Sequence, residues 1–131
     1  MTRRPRVLVV EDHPAVRGAL VALLEVIGFQ VVGVAVDGVD AVALARQAAP
    51  ELVLMDLSLP VLNGLDATRL LREALPATPV VVLTAIADQE LERAASAAGA
   101  AGYLVKGCSA EQLRQVLGGA IAATSRGDRD R

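Results

Sequence analysis

Four short apolar runs, each ending in a polar residue of a different chemical kind, constrain this chain more than any other feature. Val7-Leu8-Val9-Val10 leads into Glu11-Asp12, and Leu52-Val53-Leu54-Met55 leads into Asp56. Val80-Val81-Val82-Leu83 leads into Thr84, and Tyr103-Leu104-Val105 into Lys106. Runs this short and this rich in Val and Leu suit strands buried on both faces, as in a parallel sheet covered by helices on either side. Such strands all point the same way, so the residues just past their carboxyl ends gather on one edge, where open α/β sheets bind their ligands. The pattern therefore predicts that three carboxylates, a hydroxyl and an ammonium meet in one crevice.

The intervening segments carry helical period. Pro14 suits a first helical turn, and Val16, Leu20, Leu23, Leu24 and Ile27 form one stripe that stops at Gly28. Val31 to Val36 reads as a further strand. Asp37 then caps a helix whose buried side is expected to include Val39, Val42 and Ala43. Pro50 marks the return to the Leu52 strand. After Asp56, a loop with Pro60 and Asn63-Gly64 leads to a helix with Leu65, Thr68, Leu71 and Leu75 inward, closed by Pro76 and Pro79. Asp88 opens an Ala-rich helix through Leu91, Ala94, Ala95 and Ala98 that stops at Gly99. Ser109, with Gln112 as the other half of a capping box, opens the last helix, whose stripe is Leu113, Val116, Leu117, Ala120 and Ile121. Five strands alternating with five helices predict an α/β, doubly wound five-stranded parallel sheet with right-handed crossovers. The expected strand order is the flavodoxin-like 2-1-3-4-5, with its crevice between the first and third strands. One domain is expected over residues 1–124, with 125–131 as a charged tail or linker stub.

Composition excludes several classes. The chain is 53% hydrophobic but only 2% aromatic, so Val, Leu, Ile and Ala must build its core. With 13 basic and 15 acidic residues it shows no electrostatic footprint for nucleic acid, and its single Phe and Tyr make no base-stacking platform. Cys108 has no partner for an internal disulfide, in keeping with a reducing compartment. The basic start, Met1 to Pro5, precedes an apolar run of only four residues, too short for a signal peptide or a membrane span. A cytoplasmic protein is expected, with no membrane association.

Three carboxylates at one sheet edge repel one another unless a cation sits among them. A hard divalent ion with oxygen ligands, Mg²⁺, fits this donor set, and no Cys or His cluster offers what zinc prefers. His13, beside the acids, reads as a structural loop residue. Asp56 stands alone at its strand end, placed to act as a nucleophile on phosphorus. Lys106 and Thr84 supply a positive charge and a hydroxyl for the outer oxygens of a phosphoryl group.

These residues make the sequence resemble the receiver domain of two-component response regulators, over Arg6 to Ala123. The resemblance rests on Glu11-Asp12, Met55-Asp56-Leu57-Ser58-Leu59-Pro60 with Gly64 following, Thr84-Ala85, and Gly102-Tyr103-Leu104-Val105-Lys106. It implies that Asp56 accepts a phosphoryl group from a phosphohistidine on a sensor histidine kinase. It further implies that Asp12, Asp56 and the Ser58 carbonyl hold Mg²⁺, with Glu11 acting through water, while Thr84 and Lys106 grip the phosphoryl oxygens. Thr84 and Tyr103 would be the switch residues that reshape the surface of the fourth helix, fifth strand and fifth helix. A homodimer formed on phosphorylation is a further implied partner.

Glu11-Asp12-His13-Pro14-Ala15-Val16-Arg17, with Lys106-Gly107, is most similar to the NarL/FixJ subgroup, whose members usually control transcription through a C-terminal helix-turn-helix domain. DNA is therefore expected as a partner only through a domain not present in this chain, and a stand-alone receiver acting through protein partners or phosphorelay is the alternative. Gly107 departs from the proline common in receivers, so a looser lysine loop is expected. Haloacid-dehalogenase-type hydrolysis fits less well, because the required second acid two residues after the nucleophile is Ser58 here. The protein is expected to be a signalling switch rather than an enzyme.

Overall fold

A computed structural model of the chain describes residues 3–58 and 63–129. The elements run β1 (Arg6–Val10), α1 (Pro14–Val26), β2 (Gln30–Ala35), α2 (Gly38–Ala48), β3 (Leu52–Asp56), α3 (Gly64–Ala74), β4 (Val80–Thr84), α4 (Gln89–Ala97), β5 (Gly102–Val105) and α5 (Ala110–Arg129). All neighbouring strands pair in parallel, in the order β2-β1-β3-β4-β5, as the alternation of elements predicts. Pro60, expected in the loop after Asp56, lies outside the described residues.

Every residue of β3 and β4 is buried, which explains why those strands read as continuous apolar runs rather than as alternating ones. Period two then divides each strand between two cores. Leu8, Val10, Val53, Met55, Val80 and Val82 pack with Ala41 and Ala45 of α2, Ala67 and Leu71 of α3, and Ala95 of α4. Val7, Val9, Leu52, Leu54, Val81 and Leu83 pack with Leu24 of α1 and with Leu113, Leu117 and Ala120 of α5. Each fully buried Val or Leu contributes about 1.5–3 kcal/mol relative to exposure, and this aliphatic core replaces the missing aromatics.

The helix starts follow the capping residues. Asp37 accepts from the Asp40 amide at 2.8 Å, Asn63 from Asp66 at 2.9 Å, Asp88 from Glu90 at 2.9 Å and Ser109 from Gln112 at 3.0 Å. Only the Ser109 half of the expected capping box is formed among these bonds.

Two expectations are corrected. On α2, Val39 and Ala43 are exposed, and the buried face is Gly38, Ala41 and Ala45, with Val42 and Leu44 only partly buried. The helix is wedged against β1, β2 and α3, where small side chains permit close approach, so its inward face is the Ala41 and Ala45 stripe. At the other end, α5 continues through Arg129, past the expected start of a loose tail at Ser125. A helix already anchored by Leu113 and Leu117 gains one backbone bond for each further residue, so it propagates into polar sequence.

Candidate functional site

The carboxyl ends of β1, β3, β4 and β5 bring the predicted polar residues to one edge. The Glu11 amide bonds the Ala35 carbonyl at 3.0 Å, extending the β1–β2 ladder by one residue and holding Glu11 at the sheet tip. Asp56 ends β3 opposite Leu83, and Thr84 ends β4 opposite Val105. The Lys106 amide bonds the Thr84 carbonyl at 2.7 Å, which sets the lysine directly past β5. A turn then closes through the Cys108 amide on the Val105 carbonyl at 3.1 Å, with Gly107 at φ +90°. Left-handed glycine in the third position is the type II signature. The lysine loop is thus a hydrogen-bonded turn that needs glycine, and this replaces the looser loop expected from the missing proline.

Gly64 settles how α3 meets the site. Its amide bonds the Leu57 carbonyl at 3.1 Å, and a Cβ there would lie 2.5 Å from Leu57 Cα and collide with the Asp56 carbonyl. The helix can therefore begin only against bare backbone. Thr68, fully buried, ties its hydroxyl to the Gly64 carbonyl at 2.7 Å and secures that first turn.

Glu11 is 1% exposed and Asp56 3%. Lys106 Nζ lies 3.0 Å from Glu11 Oε1 and 3.4 Å from Asp56 Oδ1. Asp56 Oδ1 also accepts from the Ser58 amide at 3.1 Å, and Glu11 Oε2 from the His13 amide at 3.3 Å. Asp56 Oδ2 is buried without a partner, and Glu11 Oε1 has only its charge contact with the ammonium. Carboxylate oxygens of Glu11, Asp12 and Asp56 all lie within 4.8 Å of one another. Asp12 is the exposed member of this trio.

One ammonium cannot neutralise the cluster. Burial, reinforced by the facing Glu11 carboxylate, pushes the Asp56 carboxyl up to about 6, against the pull of the Ser58 amide and Lys106. Burial would also raise Glu11, but contacts with Lys106, Asp56 and the His13 amide together hold it below the usual carboxylate range. Burial alone would lower Lys106, and its two acidic neighbours hold it above the usual lysine value. The site is a partly neutralised anionic hollow with a nucleophilic oxygen left free. Its hard oxygen donors and orphaned lone pairs suit a divalent cation.

Thr84 is buried, and its hydroxyl accepts from the Ile86 amide at 3.4 Å. Tyr103 does not reach the acids. Its hydroxyl donates to the Ile86 carbonyl at 2.8 Å, so Thr84 and Tyr103 hold the same residue of the β4–α4 loop from two sides. Sequence reasoning missed the Glu11–Lys106 pair, which joins the two ends of the motif across the sheet. His13, expected as a structural loop residue, has a structural role: the ring accepts from the Val16 amide at 3.4 Å and is the N-cap of α1.

The model of the response regulator receiver domain family matches residues 7–118. The chain belongs to that family. This receiver domain is 42% identical over 113 residues to the response regulator GacA of Pseudomonas aeruginosa, covering 86% of this chain and 53% of GacA. It is 41% identical over 108 residues to the response regulator UvrY of Escherichia coli, covering 82% of this chain and 50% of UvrY. The chain thus spans about half the length of the relatives it matches. Among solved structures, a LuxR-family two-component response regulator from Aurantimonas superposes with a TM-score of 0.88 at 34% identity, covering 92% of this chain and 87% of that one. The receiver domain of the putative response regulator NarL from Mycobacterium tuberculosis gives 0.86 at 28% identity, covering 92% and 98%. These likenesses agree with the NarL-type character of Glu11 to Arg17. Among the described residues of the receiver domain, no helix is long and apolar enough to cross a membrane.

Proposed function

We propose that this receiver domain takes a phosphoryl group onto Asp56 from a phosphohistidine of a sensor histidine kinase, in a Mg²⁺-dependent reaction. The observation that carries the reading is the state of Asp56. One oxygen is held by the Ser58 amide and Lys106, while Oδ2 is buried without a partner beside two further carboxylates. A carboxylate oxygen with a free lone pair attacks phosphorus, the P–N bond of the donor breaks, and the imidazole leaves with a proton from solvent.

Glu11, Asp12, Asp56 and the Ser58 carbonyl would hold the Mg²⁺, Glu11 through water. When bound, the ion neutralises phosphoryl charge and cancels the repulsion among the carboxylates. Lys106 and the Thr84 hydroxyl are the groups of this chain that meet the phosphoryl oxygens. To do so, Lys106 exchanges its Glu11 contact for the new anion, and Thr84 exchanges its Ile86 amide for a phosphoryl oxygen. The second exchange frees the loop that Tyr103 holds, which supports Thr84 and Tyr103 as the switch pair. We read the output as transcription, exerted through a DNA-binding domain outside the 1–124 receiver unit. Its LuxR-family and NarL neighbours support this, and a phosphorylation-linked homodimer fits the same reading.

Intact-mass measurement after incubation with acetyl phosphate tests the proposal. One added phosphoryl group that requires Mg²⁺ and is absent from Asp56→Asn is expected. No gain, together with no binding of beryllofluoride, would refute the phosphoacceptor role.

A further inference from the structure

We propose that Arg17 is a positioning residue whose guanidinium clamps the backbone of the acidic pair and so pre-organises Glu11 and Asp12 for a divalent cation. The inference rests on the Mg²⁺-dependent reading above. Helices α2, α3, α4 and α5 each carry an acid in the first turn, namely Asp40, Asp66, Glu90 with Glu92, and Glu111. Acids there match the positive end of the helix dipole. In α1 that turn holds no acid. Arg17 closes it instead, its amide bonded to the His13 carbonyl at 2.9 Å. A cation at a helix start works against the dipole, so its place needs another cause.

The cause is in the preceding loop. Arg17 Nη1 lies 3.2 Å from the Glu11 carbonyl and 3.4 Å from that of Asp12. Both carbonyls fall between the end of β1 and the start of α1. The loop is tied at two more points, by the His13 amide on Glu11 Oε2 and by the His13 ring on the Val16 amide. Buried neighbours hold Glu11, but the Asp12 side chain is exposed and only its backbone can be fixed. A ligand held in place before the cation arrives spares the cost of ordering it on binding. The arginine's charge opposes a dication, so the clamp and the repulsion act on the affinity in opposite directions. The sign of the change on removing Arg17 separates the two, since a weaker Kd reports the clamp and a tighter one the repulsion.

Mg²⁺ titration by calorimetry at physiological ionic strength decides the matter, on wild type, Arg17→Ala and Arg17→Lys, with melting in EDTA alongside. Arg17→Ala is expected to raise the Mg²⁺ Kd about fivefold, the worth of one ordinary hydrogen bond. Amide exchange at Asp12 and His13 should quicken. Arg17→Lys should recover most of the affinity. An arginine that merely stabilised α1 would lower the melting temperature and leave the Kd unchanged, which would overturn the proposal. A tighter Kd in Arg17→Ala would overturn it as well. Should Arg17→Ala not fold, Arg17→Gln carries the same expectation and the same refutation. Wild type that binds no Mg²⁺ would refute the Mg²⁺ reading and Arg17's role with it, whereas equal Kd values refute the clamp alone.

Discussion

Replacing Asp56 by Asn should make the metal-free protein more stable, because the site carries a charge it cannot fully neutralise. Asp56 is 3% exposed and its carboxyl is pushed up to about 6 in the fold. An aspartate in the unfolded chain titrates near 3.9, about two pH units lower. For a raised carboxyl, the stabilising form is the protonated one. This group therefore costs nothing at a pH below both values. Its cost grows as the unfolded chain ionises first, and it is complete above about pH 7, where it reaches about 3 kcal/mol. Asn keeps the shape and removes the charge. In EDTA at about pH 8, Asp56→Asn should gain about 3 kcal/mol, near 10 °C in Tm for a domain of this size. At about pH 4.5 the gain should shrink to about 1 kcal/mol. Saturating Mg²⁺ should narrow the gap at pH 8 by stabilising wild type alone. Urea unfolding followed by far-UV circular dichroism at the two pH values measures both numbers. A variant no more stable than wild type at the higher pH, or a gain equal at both, would refute the electrostatic account.

Gly64→Ala offers a separate test of the α3 approach. In an exposed helix that change stabilises by up to about 1 kcal/mol, but here the new Cβ meets Leu57 Cα at 2.5 Å. A loss of about 2 kcal/mol in urea unfolding is expected, with slower acetyl-phosphate labelling as the Asp56 backbone shifts. Tyr103→Phe removes the 2.8 Å bond to the Ile86 carbonyl and should cost no more than about 1 kcal/mol. Its signature should be faster amide exchange confined to the β4–α4 loop, and unchanged exchange there would dissociate Tyr103 from that loop. Ile86 is 66% exposed beyond Thr84. On the proposed phosphoacceptor role, an apolar side chain there is expected to hinder water attacking the aspartyl phosphate, so wild type should lose its phosphoryl group more slowly than Ile86→Glu. Equal decay rates would remove the shielding role.

β1, β3 and β4 were legible because burial on both faces forces unbroken apolar runs, and the candidate site was legible because four runs each lead into one of the polar residues that meet at the sheet edge. Asp37, Asn63-Gly64, Asp88 and Ser109 likewise marked four helix starts, since capping is a local bond within three residues. The misreadings share a cause. Periodicity leaves the phase of α2 open, and its packing turns Ala41 and Ala45 inward in place of Val39 and Ala43. The tail from Ser125 was read as loose on its polarity, yet the anchored α5 carries the helix to Arg129. Gly107 was read only as a missing proline, although its left-handed φ shapes the turn that presents Lys106.

What the sequence determined by itself was the order of the elements and the set of chemical groups at the sheet edge, because strand direction and period depend on near neighbours along the chain. The tertiary structure decided how those groups partition. Lys106 pairs with Glu11, 95 positions away in the chain, at 3.0 Å, and Asp56 keeps an oxygen without a partner. Arg17 turns back onto the acidic loop. Such contacts depend on distances of a few ångströms between separate strand ends and on how much water each group loses. Neither quantity is set until the sheet is packed between its helices.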